Sequence, residues 1–330
     1  MYDSTEAVRF IRAHDSFLVL GHKEPDGDCV ASQLALAALL RALGKKAALH
    51  SAGPFDRPEI SELGAQFTSV VPAEDRSTKA VVIVDCSTPD RTGSLGAVVN
   101  GLPTLVIDHH SAGEKFGDAR MVDPTAPSST MLVLALFEAF GRTPDAETAR
   151  LLLFGLCTDT GFFRHLGPGS EETFRSVARL VELGTSTADV YMAVYGGREL
   201  SSRKLLAEML ARAENHFDGR LILTWQTIAD RQRLDAHQRG EDELYRLLQT
   251  IKGSVVVALI KEEGEGVFSV GLRSAPDVDV GKVAAGFGGG GHRQASGFDI
   301  QGTLESVKDA VIAALAPLIK QPPAGANARM

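Results

Sequence analysis

The sequence predicts an α/β protein, with an N-terminal domain built on a doubly wound, mostly parallel sheet and a smaller C-terminal α/β domain. Three observations predict it. Short apolar runs rich in Val and Ile recur through the first half with helix-periodic segments between them, the order of a parallel sheet with crossover helices. That alternation breaks around Tyr195-Gly196-Gly197-Arg198, and a hairpin pattern follows it. At 330 residues the chain is long enough for two domains, each with its own core.

In chain order, residues 17–21 read as the first strand. Asp28 is placed to cap a helix that runs through Leu34, Leu36, Leu39 and Leu40 to Leu43, where Gly44 stops it. Residues 47–50, 80–85 and 105–108 are further strands, and 127–140, 145–156 and 171–183 are helices. Residues 191–203 are read as the linker between a first domain, 1–190, and a second, 204–330. A polar helix is expected from Ser201 to about Glu214. Strands follow at 221–225, 254–260 and 267–272, the last two joined by a Glu/Gly hairpin turn. A helix at 279–286 precedes four glycines, after which 295–300 resumes regular structure. The tail from about residue 321 reads as disordered.

Composition narrows the function. A hydrophobic fraction of 44% and a charged fraction of 23% are those of an ordinary globular protein. No apolar run approaches the roughly 18 residues that span a bilayer, and residues 1–6 lack a signal sequence, so no membrane partner and a cytoplasmic location are expected. A net charge of −8 disfavours a grip on long or duplex nucleic acid but not on a short anionic substrate. Three cysteines without CxxC spacing argue against a disulfide framework. Cys29, Cys86 and Cys157 each lie beside an acidic motif, as thiol ligands or redox-sensitive groups on one reading and as small buried packing residues on the other. If Asp85 and Cys86 share a strand, Cys86 points away from Asp85.

The chemistry concentrates in four segments: His22-Lys23-Glu24-Pro25-Asp26-Gly27-Asp28, Asp85, Asp108-His109-His110 and Thr158-Asp159-Thr160-Gly161. Each sits where an apolar run stops. In open α/β sheets ligands collect beyond the carboxyl ends of the strands, so the four converge on one expected polyvalent site. Taken singly, each has an ordinary explanation: an Asp-rich turn with Pro25 and Gly27 plus a helix cap at Asp28, an Asp ending a strand, a polar loop, a helix end with a C-cap glycine. Together they form an Asp/His ligand set for Mn²⁺ or Mg²⁺. Two such ions about 3.5–4 Å apart need a bridging carboxylate and clamp both oxygens of a phosphoryl displacement. Further along, Gly288, Gly289, Gly290 and Gly291, then His292 and Arg293, read as a loop that lets backbone N–H groups approach an anion. Arg273, at a strand end, is a further anion-binding candidate.

These motifs, in this order, resemble the DHH phosphoesterase superfamily, and the stretch Gly289-Gly290-Gly291-His292-Arg293-Gln294-Ala295-Ser296-Gly297 resembles the signature of its DHHA1 domain. Size and layout are similar to the NrnA branch, short-oligoribonucleotide hydrolases that also dephosphorylate adenosine 3′,5′-bisphosphate (pAp). The resemblance implies two Mn²⁺ ions, with Mg²⁺ or another divalent ion as a weaker substitute. It implies that His22, Asp26 and Asp85 hold one, that Asp28, Asp85, His109 and Asp159 hold the other, and that Asp85 bridges. His110 then faces the scissile phosphate and Asp108 orients the histidines. Arg273, Gly289, Gly290, Gly291 and His292 bind the nucleotide across a cleft between the domains, with Arg164 a further substrate contact. The implied partners are short RNA and small nucleotides, and a homodimer is left open. Ala31-Ser32 stands where relatives often have Gly-Ser, and Ser296 where they often have Ala; neither removes a ligand.

Several alternatives remain at this stage. A cyclic di-AMP or pApA phosphodiesterase presents the same chemistry. A RecJ-like exonuclease lacks support from a basic track, and a pyrophosphatase is disfavoured by the glycine-rich signature. A catalytically dead nucleotide-binding regulator is disfavoured because every expected ligand is present.

Overall fold

The computed structural model describes residues 2–72, 79–86, 88–111, 113–236 and 241–319. The chain divides into two compact units, 1–197 and 198–330. Among the described residues no helix is long and apolar enough to cross a membrane.

The first unit runs α1 (Thr5–Ala13), β1 (Ser16–Leu20), α2 (Gly27–Ala42), β2 (Lys46–His50), β3 (Ala80–Val84), α3 (Gly96–Val99), β4 (Thr104–Asp108), β5 (Ala119–Val122), α4 (Ser129–Ala139), α5 (Ala146–Asp159), α6 (Glu171–Glu182) and α7 (Thr187–Tyr195). Its five strands are all parallel, in the order β2-β1-β3-β4-β5. The chain therefore leaves β1 in one direction and resumes at β3 in the other. The crevice where the order reverses, beyond the ends of β1 and β3, is the binding position of such sheets. Both faces are covered, which explains why the strands read as unbroken apolar runs. Phe17, Val19, Val82, Val84, Leu105 and Ile107 pack against α1, α2, α4 and α5. Leu18, Leu20, Val81 and Ile83 pack under Val71, Cys86 and Leu95, from connecting segments rather than long helices. Gln33 ties α2 to the sheet from within, its Nε2 donating to Val19 O (3.1 Å) and His50 O (2.9 Å).

The second unit runs α8 (Leu200–Ala211), β6 (Glu214–His216), β7 (Leu221–Gln226), α9 (Ile228–Leu234), α10 (Glu241–Gln249), β8 (Val256–Gly264), β9 (Val267–Ser274), α11 (Gly281–Gly286), β10 (Gly290–His292), β11 (Ala295–Gln301) and α12 (Leu304–Ile319). Its sheet, β10-β11-β9-β8-β7-β6, is antiparallel except where β7 meets β8. Val307, Val311, Leu315 and Ile319 of α12 cover one face; Leu205, Leu206 and Met209 of α8 with Leu244, Tyr245 and Leu248 of α10 cover the other.

Four local expectations are corrected. The segment read as a linker, 191–203, holds the boundary between the two units, after Gly197, but it is mostly helical, with only residues 196–199 between α7 and α8. The cap of α2 is Asp26, whose Oδ1 accepts from Cys29 N at 3.0 Å; Asp28 lies inside the first turn because its carboxylate is engaged elsewhere. Gly27 is helical rather than part of a turn, and its role is close approach: a Cβ there would stand 2.5 Å from the Thr158 side chain on α5. The glycine-rich segment is an edge strand, since β10 pairs with β11 through Gly290–Gly297, Gly291–Ser296 and His292–Ala295. Its glycines admit that pairing, because a Cβ on Gly289 would lie 2.2 Å from Gly297 O. The tail from residue 321 lies outside the described residues.

Candidate metal centre

Three strand ends and two helix ends deliver the acidic and imidazole groups to one place. His22 follows β1, Asp85 follows β3, and Asp108 closes β4 with His109 and His110 after it. Asp26 and Asp28 come from the start of α2, and Asp159 is the last residue of α5. Asp85 is not on the strand with Val84: its φ of 55° is left-handed, a conformation Asp tolerates better than most residues. Its backbone N–H is held by Ile107 O at 2.9 Å. This turn separates Asp85 from Cys86, which is buried among the residues under the opposite sheet face.

Asp85 lies between the two histidines. Its Oδ2 is 3.6 Å from His22 Nε2, and its Oδ1 is 3.5 Å from His109 Nε2. Asp26 Oδ1 is 3.8 Å from His22 Nε2 on one side. On the other, Asp159 Oδ2 and Asp28 Oδ2 are 3.6 and 4.0 Å from His109 Nε2. These separations are too long for hydrogen bonds. They suit ligands that share an ion, since bonds of about 2.1 Å put neighbouring ligands about 3 Å apart and opposite ones about 4 Å apart. Both imidazoles are turned for that purpose. His22 Nδ1 bonds to Lys23 O at 2.8 Å and His109 Nδ1 to Ala126 O at 3.3 Å, which leaves Nε2 of each facing the carboxylates. The donor set and its orientation fit divalent metal.

Asp108 has a different job. Its Oδ1 accepts from the backbone N–H of His109 (2.9 Å) and of His110 (3.3 Å), and lies 2.7 Å from His110 Nδ1. It therefore orients the His110 ring and the loop backbone, while Ala126 O orients the His109 ring. That contact also raises the His110 pKa, against the pull of burial.

The carboxylates strain against one another. Burial, then Asp85, Asp159 and Asp26, raise Asp28 well above the usual carboxyl range. Burial with Asp85 and Asp26 pushes Asp159 up to about 6, although His109 opposes it. Burial works against Asp26 ionising too, but the His22 ring beside it, the Cys29 N–H and Arg57 outweigh that and hold it low. Burial would lower His22, yet its neighbours, the Asp26 and Asp85 carboxylates among them, raise it. Without a metal the imidazolium is thus the cation among the carboxylates, and an ion taken up at Nε2 releases that proton. Cys29 shares a cluster of donor atoms with His22 and Asp85. Its sulfur is fully buried, 3.8 Å from Gln33 Oε1, and burial pushes the thiol up to about 12, so it packs there as a neutral group.

Two residues that the sequence did not single out complete the site. Ser129 and Thr130 open α4, and their backbone N–H groups donate to Asp28 Oδ2 (2.6 Å) and Oδ1 (3.0 Å). Ser129 Oγ also donates to Asp85 Oδ1 at 2.9 Å. The available signal was the run Ser128-Ser129-Thr130 before an apolar helix, which by itself indicates only a helix start. Gly155 belongs here too, because a Cβ on it would come within 2.4 Å of Thr130 Cγ2 and 3.0 Å of Asp28 Oδ1. Arg164 lies past α5, exposed, with a guanidinium nitrogen 3.1 Å from His165 Nε2.

The remaining expected site residues lie together in the second unit. Arg273 pairs in register with Ala295, and Ala295 with His292. Directly opposed residues share a sheet face, so Arg273 and His292 flank a small alanine. The Arg273 guanidinium stacks 4.5 Å from the Tyr245 ring centre and bonds to Leu272 O at 3.0 Å, with no carboxylate partner among the described residues. A Cβ on Gly271 would stand 2.1 Å from the Tyr245 hydroxyl, so that glycine makes room for the ring.

Comparison with known proteins identifies the family. The chain is 30% identical over 290 residues to the bifunctional oligoribonuclease and PAP phosphatase NrnA of Thermus thermophilus, covering 85% of this chain and 83% of that one. It is 27% identical to the probable enzyme of the same name from Streptococcus mutans, covering 87% and 90%. Its fold matches that of an exopolyphosphatase-related protein from Bacteroides fragilis, with a TM-score of 0.85 over 96% of both chains at 22% identity. The family model for the DHH family N-terminal domain matches residues 16–156, and that for the DHHA1 domain matches residues 226–321. The chain therefore belongs to the DHH family, with a DHH domain in its first unit and a DHHA1 domain in its second.

Proposed function

We propose that the chain is a phosphoesterase dependent on two divalent ions, Mn²⁺ by preference, that hydrolyses short oligoribonucleotides to mononucleotides and removes the 3′ phosphate of pAp. The observation that carries this is Asp85 between two metal-turned histidines, one oxygen toward each. The names of both relatives support the substrate class. Imidazole nitrogens from His22 and His109 favour Mn²⁺ over Mg²⁺, which prefers oxygen and dehydrates reluctantly.

His22, Asp26 and Asp85 would hold one ion, and Asp28, Asp85, His109 and Asp159 the other. When bound, the pair supplies Lewis acidity and an acidified water as nucleophile. The chain's own groups do the rest. His110, half-exposed and oriented by Asp108, whose contact raises its pKa, donates to a phosphate oxygen as negative charge builds there. Arg273 and His292 bind the nucleotide's phosphate and sugar edge, with Gly289 and the open edge of β10 at Gly290 and Gly291 close to the substrate backbone. The Arg273 guanidinium, pre-set by Tyr245, suits bidentate phosphate contact. Arg164 makes an outer contact with the substrate.

The test is a side-by-side turnover measurement on pAp, a diadenylate, a twenty-nucleotide RNA and cyclic di-AMP, with Mn²⁺ and with Mg²⁺ at matched concentration. Rapid cleavage of the first two in Mn²⁺ and slow cleavage of the others is expected. Preference for cyclic di-AMP would move the assignment to a cyclic dinucleotide phosphodiesterase. No cleavage of pAp or diadenylate by protein that holds its metals would overturn the proposal.

A further inference from the structure

Helix α4 begins without help from its own cap. Ser128 is the N-cap residue, yet its side chain makes no capping hydrogen bond and meets Thr130 Oγ1 instead, at 2.7 Å. The first free N–H groups of the helix, on Ser129 and Thr130, are taken by Asp28, a ligand residue about a hundred positions away in sequence. A helix N-terminus suits this, because its unpaired donors and dipole favour a carboxylate. At the same turn the Ser129 hydroxyl, fully buried, donates to Asp85 Oδ1.

The consequence falls on Asp85. The terminal torsion of an Asp side chain sits in a broad, roughly two-fold well, so packing alone fixes it loosely. Asp85 Oδ1 is a carboxylate oxygen with two lone-pair sites, and the Ser129 O–H occupies one of them. One site on Oδ1 stays open, toward His109, while Oδ2 faces His22.

We propose that Ser129 is a positioning residue that locks the rotation of the Asp85 carboxylate, so that Oδ1 serves only the His109 side and Oδ2 only the His22 side, one oxygen per ion. This rests on reading the site as a two-ion centre. It also makes the first turn of α4 a single device that orients both inward carboxylates, Asp85 by the hydroxyl and Asp28 by the backbone.

The test uses the full chain, stripped of metal and titrated with Mn²⁺, in wild type, Ser129→Ala and Ser129→Thr. Affinity is read by calorimetry and the coupling between the ions by electron paramagnetic resonance. Ser129→Ala removes one oxygen atom and adds no bulk. It should weaken Mn²⁺ binding about 10–100-fold, the usual effect of losing a group that orients a ligand, and should change the spin-coupling pattern of the ion pair. Ser129→Thr restores the hydroxyl and should recover both, at least in part. Wild-type affinity and an unchanged spin-coupled spectrum in Ser129→Ala would overturn the inference. So would a folded Ser129→Thr protein as defective as the alanine variant, because the effect would then come from packing. Wild-type protein that takes up fewer than two ions would sink the two-ion reading itself, a different failure.

Discussion

Replacing Asp159 by Asn should stabilise the metal-free protein and weaken the metal-loaded one. Asp159 is the most accessible of the clustered carboxylates, with a side chain 32% exposed, so Asn should fit without repacking. Burial and the neighbouring Asp85 and Asp26 push its carboxyl up to about 6, against roughly 3.9 for a free aspartate. At about 1.4 kcal/mol per pH unit that gap corresponds to nearly 3 kcal/mol. Solvent screening at a site this exposed reduces it, leaving a working figure of about 1 kcal/mol. The sign follows from linkage. A folded-state pKa above the unfolded one leaves the native state unpenalised below about pH 4, erodes its stability as the pH rises from about 4 to 6, and leaves the full penalty above that. Asn carries no charge at any of these pH values. The metal-free variant should therefore melt about 2–4 °C above metal-free wild type at pH 7.5, the shift expected for about 1 kcal/mol in a unit of this size. The gain should shrink at pH 4.5. With saturating Mn²⁺ the order should reverse, because only wild type keeps the ligand. Thermal unfolding of metal-stripped and reloaded protein at both pH values measures all of this. A metal-free variant that melts below wild type at pH 7.5, or one with the same gain at both pH values, would refute the electrostatic account.

Three further outcomes are expected. Gly155→Ala should destabilise the first unit by about 1–3 kcal/mol and lower Mn²⁺ affinity, because the added methyl meets Thr130 and the Asp28 carboxylate; urea denaturation and metal titration check it. Asp230→Ala should cost about 2–3 kcal/mol at pH 7, since it removes the Arg212 ion pair and the capping box with Thr227. Those contacts hold Asp230 below the usual range although burial opposes them, so the wild-type advantage should be present above about pH 4 and fade as the pH falls further, as urea midpoints across that range would show. Arg273→Lys and His292→Ala should each lower turnover of pAp at least tenfold with two Mn²⁺ still bound; steady-state kinetics beside metal analysis checks this, and near-wild-type rates would remove the second unit from substrate binding.

The sequence revealed the parts of this site that depend on chain-local chemistry. Strands β1, β3 and β4 are largely apolar runs because both sheet faces are covered, and a candidate ligand follows the end of each. What it hid depends on residues distant in sequence. Gly27 reads as a turn glycine beside Pro25, yet its constraint comes from Thr158 on another helix. Asp28 reads as the cap of its own helix, yet it caps α4. Ser129 reads as an ordinary helix start, and nothing local says that its hydroxyl meets Asp85. Strand β5 carries Arg120 in a four-residue edge position, too short and too polar for an apolar run. Four glycines read as a loop, and only pairing with β11 makes part of them a strand.

No Lys or Arg forms an ion pair with Asp26, Asp28, Asp85 or Asp159 among the described residues, Arg57 acting on Asp26 only from farther away; their close partners are His22, His109, backbone N–H groups and the Ser129 hydroxyl. That choice of partner has a physical consequence. A lysine among them would neutralise charge permanently and compete with any ion, whereas an imidazole can release its proton and offer a lone pair in its place. The chain thus keeps packed carboxylates that only an external cation can fully balance. The native state alone assembles these ligands, so an ion at a hundred times its dissociation constant adds about 2.7 kcal/mol to stability. The same groups therefore prepare the site for catalysis and make the metal-free first unit the less stable form, and the close approaches at Gly27 and Gly155 hold the helices that carry Asp28 and Asp159 together against that repulsion.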